Sequence, residues 1–145
     1  MTTDHPLDHF HYLHCEVLAV LDQARPYLNG RDAESWTALA PFRGALAAAL
    51  HALQLYKHRE LFDPILAAGG PDAASVRQLK AECIKLGLDY QAYTRKWASA
   101  DIDARWPEYR LAGLAMMRQI RDRMAAQHEA IHRLYAVPDL YRIAC

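Results

Sequence analysis

Apolar residues recur along this chain in steps of three and four. Phe10, His14, Val17, Leu21 and Ala24 keep one helix face turned toward a partner and predict a helix over about 7–25. At 100° per residue, Leu39, Phe42, Leu46, Leu50, Leu53, Lys57 and Leu61 fall within an arc of ~100°. They predict a second helix over 33–67, bent near Pro41, where a backbone donor is missing. Val76, Leu79, Cys83, Leu86, Tyr90, Tyr93 and Trp97 predict a third over 72–98. Trp106, Tyr109, Gly113, Met117, Ile120, Met124, Ile131 and Tyr135 predict a fourth over 106–136. Breakers gather between these stretches, at Pro26 to Gly30, at Gly69-Gly70-Pro71 and at Trp106-Pro107. No segment alternates with period two, so no strand is expected. The fold class that follows is all-α: one domain over residues 1–145, an antiparallel up-down four-helix bundle with short connections.

Two polar residues interrupt the apolar stripes. His14 sits on the core line of the first helix and Lys57 on that of the second. His51, Gln54 and His58 flank the second stripe, His128 lies at the edge of the fourth, and His132 lies further round. Eight histidines are unusual for 145 residues, and they cluster in 5–14, at 51 and 58, and at 128 and 132. Imidazole is the commonest metal ligand.

Charge and cysteine content narrow the function classes. Lysine plus arginine equals aspartate plus glutamate at 17 each, which gives no field to attract nucleic acid or an anionic membrane. Arg110, Arg118, Arg121 and Arg123 share the fourth helix with Asp122 and Glu129 and read as a solvated face. No apolar run approaches the ~18 residues of a membrane span, and Met-Thr-Thr-Asp-His-Pro lacks the regions of a signal peptide. Cys15, Cys83 and Cys145 are odd in number and lack metal-like spacing, so they read as free thiols in a reducing, cytoplasmic compartment. Cys83 with a histidine specifies no nucleophile pair, and a small apolar core role suits it. The aromatics Tyr93, Trp97, Trp106 and Tyr109 offer either a contact patch or end-cap packing, with packing preferred.

Bundle interiors hold metals when carboxylates and imidazoles project from facing helices. A ferritin-like di-iron centre wants Glu-x-x-His on two helices, and the chain does not carry that motif twice. The segments Leu61 to Gly70, Tyr93 to Tyr109 and Leu134-Tyr135 resemble, in order and spacing, bacterial hemerythrin-like (HHE cation-binding) proteins over residues 7–137. The resemblance implies a helix-1 histidine, His-x-x-x-Glu on helix 2, two histidines on helix 3, and a histidine with a carboxylate on helix 4. His14 matches the first position, with His11 one turn earlier as a fallback. On helix 2, registering Leu61-Phe62 puts Leu53 and Lys57 where His and Glu should be, and a one-residue slip gives Gln54 and His58. Helix 3 offers only Glu82, Cys83 and Tyr90, and helix 4 offers His128 and His132 without the carboxylate.

The expected protein is therefore a non-enzymatic hemerythrin-like binding or sensory domain with a degenerate di-iron site. Its candidate metal ligands are His14, His58, His128, His132 and Glu82, which would hold no cofactor or a single iron or zinc ion. A metal-free alternative would act by association, as a homodimer or on a regulatory protein partner. Lys57 discriminates between them: turned inward onto an acid, it replaces the metal's charge, and turned outward, it leaves room for converging histidines.

Overall fold

A computed structural model describes residues 5–30, 34–98, 101–136 and 145. The protein is all-α, with four long helical stretches and no strand among the described residues. Helix α1 spans Pro6–Leu28 and α2 spans Glu34–Tyr56. A π-helical segment, Lys57–Phe62, carries α2 into the short α3, Asp63–Ala68. Helices α4, Ala73–Ala98, and α5, Trp106–Leu134, complete the set.

Local chemistry sets the ends of these helices. His5 caps α1: its Nδ1 accepts from the Leu7 amide at 3.1 Å, and Asp8 Oδ2 accepts from the His5 amide at 3.0 Å. Pro6 occupies the first turn, where an amide donor would have no helical partner. The turn between α3 and α4 needs two left-handed residues, and Gly69 (φ 71°) and Gly70 (φ 98°) supply them without a Cβ penalty. Beyond α5, Ala136 takes a left-handed φ of 49°, a conformation that closes helices but is uncommon for alanine.

The second helix departs from expectation. Pro41 lies inside α2 without ending it. The irregularity comes sixteen residues later, where the Asp63 amide bonds to the His58 carbonyl, five residues back. The widened turn brings consecutive residues inward, so that Leu61 and Phe62 are both fully buried. Pro64, the second residue of α3, has no amide to give to the preceding turn and follows directly on the widened bonding there.

The core follows the predicted stripes. Phe10, Val17, Leu21, Leu50, Leu53, Val76, Ile120 and Met124 belong to one buried cluster, and each such side chain contributes about 1.5–3 kcal/mol by leaving water. A second cluster joins Ala24, Leu28 and Leu39 to Trp97, Trp106 and Tyr109. Those aromatics are buried, so packing, not an exposed contact patch, is their role. Trp106 Nε1 donates to the Gly30 carbonyl at 3.1 Å, and Arg110 Nε donates to the Leu28 carbonyl at 2.6 Å. Further along the same pair of helices, Arg121 binds Asp22, and Phe10 stacks on His128 with centroids 5.5 Å apart. Two of the α5 arginines, Arg110 and Arg121, are thus structural. No described helix is long and apolar enough to cross a membrane.

Candidate functional site

Helical spacing puts His11 and His14 on one side of α1, and His128 and His132 one turn apart on α5. The α1–α5 contact brings these four rings into a chain. His14 and His128 have centroids 4.5 Å apart, His128 and His132 are 4.2 Å apart, and His11 lies 5.9 Å from His128. His132 is the most deeply buried of them at 2 % exposure, and His14 is also buried. This places His132 further inside than its position beyond the edge of the apolar stripe suggested. Burial chiefly, then the neighbouring His128, His11, Lys57 and His132, lowers the His14 pKa to about 3. At neutral pH its ring is uncharged, which is the form that binds a metal.

Beside this cluster, Lys57 points into the interior with 2 % of its surface exposed. Its partner is not an acid. Lys57 Nζ donates to Gln127 Oε1 at 2.6 Å, and Gln127 Nε2 donates to the Leu79 carbonyl at 3.1 Å. The Cys83 thiol also faces the amine. Burial pushes the Lys57 amine below its usual range, with Cys83 opposing. The Cys83 thiol is pushed up by its own burial, with Lys57 opposing. Gln54 Nε2 donates to the Cys83 carbonyl at 3.1 Å, so amides and an amine tie the second, third and fourth helical stretches together.

The remaining candidate ligands lie elsewhere. His58 packs edge-on against Phe62 at 5.7 Å, and its pKa is lowered by burial and by Lys80 and Lys57. Glu82 accepts from Gln78 at 3.3 Å and lines a shallow groove with Ala130 and Arg133. The structure thus gathers His14, His128 and His132, and leaves His58 and Glu82 out. The one Glu-x-x-His of α5, Glu129 to His132, has its glutamate exposed while its histidine is buried. It cannot present both side chains to one ion.

The cysteine reading needs correction. Cys15 and Cys145 form a disulfide across a separation of 130 residues, and only Cys83 is a free, buried thiol. Such a separation leaves no local motif to read, because the fold alone brings the two sulfurs together. His11 stands next to the bond, with Nε2 3.5 Å from Cys15 Sγ. The ligand atoms of His11, Cys15 and Cys145 all lie within 4.8 Å of one another. His11 and Cys15 share a helix face at i, i+4, a signal available in the sequence. Gln127, the acceptor for Lys57, had no such signal.

No family model, no curated protein and no solved structure matches this chain.

Proposed function

We propose that the chain is a hemerythrin-like module, an antiparallel up-down four-helix bundle, that has exchanged its di-iron centre for an amine–amide network. It serves as a non-enzymatic binding or sensory domain in signalling, not as an oxygen carrier. The observation that carries this reading is the buried Lys57–Gln127 bond. In the hemerythrin-like register, Lys57 stands where a glutamate would bridge iron and Leu53 where a histidine would bind it, and both are buried. An amine at that place supplies a donor where a metal needs an acceptor, and any positive charge on it repels iron. The antiparallel arrangement is supported by the pairing of Leu28 with Arg110, Asp22 with Arg121 and Phe10 with His128.

In this reading the His14–His128–His132 cluster is the responsive element, because it joins α1 to α5. A change of ligand there alters how the two helices pack, and a second copy or a regulatory partner reads the change. In the cytoplasm, the compartment this reading assigns, Cys15 and Cys145 would be held largely as thiols.

A second reading is a mononuclear iron or zinc site on His14, His128 and His132, favoured by ring separations of 4.5 and 4.2 Å. Elemental analysis and visible spectroscopy of untagged protein separate the two. For protein with the Cys15–Cys145 disulfide intact, the expected result is no stoichiometric metal and no oxo-bridge absorption. Two irons per chain would overturn the loss of the di-iron centre. One metal per chain, lost in His14→Ala or His128→Ala, would replace the first reading by the second.

A further inference from the structure

The disulfide lies outside the Lys57 network and carries its own chemistry. Cys15 is half-buried on α1, and Cys145 is exposed. His11, one turn before Cys15, turns Nε2 toward the sulfur at 3.5 Å, while its Nδ1 is buried with no hydrogen-bond partner among the described residues. Two sulfurs and one imidazole whose ligand atoms already lie within 4.8 Å of one another make a donor set of borderline softness. Tetrahedral Zn²⁺ takes that set with a fourth position left for water. As a disulfide the sulfurs carry no thiolate charge, and the set binds nothing.

The geometry points to a redox-gated zinc site: reduction of Cys15–Cys145 creates two thiolates that, with His11, hold one Zn²⁺. This goes beyond the function proposed above and does not use Lys57, His14 or His132. In the reducing step, a dithiol gives two electrons and two protons to the Cys15–Cys145 bond and leaves as its own disulfide. The two new thiols lose their protons to solvent as the metal binds. Two Zn–S bonds of about 2.3 Å at a tetrahedral angle place the sulfurs roughly 3.8 Å apart, so they need only relax outward after the covalent bond opens. The reverse step uses a small-molecule disulfide: it takes the two electrons and two protons from solvent and becomes two thiols, the Cys15–Cys145 bond re-forms, and Zn²⁺ passes to solvent. Either state ties Cys145 to α1. Reduction without metal releases that tie.

Co²⁺, a spectroscopic substitute for zinc, tests this in the full chain. Protein is reduced with a dithiol, freed of it without air, and titrated with Co²⁺ alongside an oxidised sample. The reduced sample is expected to bind one Co²⁺ per chain, with a thiolate-to-cobalt band and tetrahedral visible bands that one equivalent of Zn²⁺ bleaches. The oxidised sample is expected to show neither. Cys145→Ser, at an exposed position, should weaken binding by about 100-fold or more, and His11→Ala by about tenfold or more, as loss of a direct ligand requires. His14→Ala and Cys83→Ala should leave the bands in place. The absence of thiolate bands from reduced protein would overturn the proposal, as would their persistence in Cys145→Ser or in oxidised protein. Their loss in Cys83→Ala would place the metal on the core thiol and would also overturn it. Oxo-bridged iron in the isolated protein, by contrast, would count against the proposed function and not against this site.

Discussion

The Lys57 amino group and the Gln127 side-chain amide meet at 2.6 Å in the interior, joining residues 70 apart in sequence. Each occupies a buried position that an apolar residue could fill, and each satisfies the other. A buried polar pair of this kind adds little net stability but makes either partner costly to remove singly.

Gln127→Leu should therefore destabilise the protein by about 2–4 kcal/mol, because Lys57 loses its nearest acceptor and the Leu79 carbonyl loses its donor. Lys57→Met should cost about 1–3 kcal/mol, since it strands the buried Gln127 Oε1 without its donor while removing a desolvated amine. The double variant should recover most of the Gln127→Leu loss. Urea unfolding of the four proteins measures this, and additive losses would contradict the coupling.

Stability should fall on mild acidification. His14 has a folded-state pKa lowered from 6.5 to about 3, so the unfolded chain takes up its proton first as pH drops. The contribution is full above about pH 6.5 and declines through the window down to about 3. His58, also lowered, acts in the same direction. Between pH 7 and pH 5 the loss attached to His14 should be roughly 2 kcal/mol. His14→Leu should flatten the unfolding free energy over that interval, and an unchanged slope would remove His14 from the account.

At Gly113, α5 packs closely against Leu28 of α1. A Cβ there would lie 3.1 Å and 3.2 Å from the two terminal methyl groups of Leu28 and 3.4 Å from the Tyr93 hydroxyl. Gly113→Ala gains up to about 1 kcal/mol of helix propensity and pushes against flexible methyl groups, so its net effect should lie within about 1 kcal/mol of zero. Gly113→Leu has no such room and should cost about 2 kcal/mol or more. Thermal unfolding of the two variants checks the ordering.

The helical architecture was legible because burial here follows a simple period. Phe10, Val17, Leu21, Leu46, Leu50 and Ile120 were all placed inward by step counting, and all are buried. The second helix was harder to read, since the π segment inserts a phase shift between Tyr56 and Asp63. Of the two registers open on the sequence, the inward pair is Leu53 and Lys57, while Gln54 and His58 are half-buried on the flank. Half of the candidate site was readable in the same way. His14 and His128 lie where their stripes put them, but Gln127 and Cys145 depend on tertiary contact that no local pattern records. His132 shows the same limit from the other side, since tertiary packing turns a flank position into a buried one.

The disulfide makes the protein a covalent ring closed across 130 residues. Within that ring lies the exposed Gly69-Gly70-Pro71 turn, a natural place for a protease to cut. A single cut there would open the backbone without freeing either half, because Cys15 and Cys145 hold the two pieces together. Whether a nicked molecule survives as one body or separates into two would then be decided by the thiol chemistry of its surroundings.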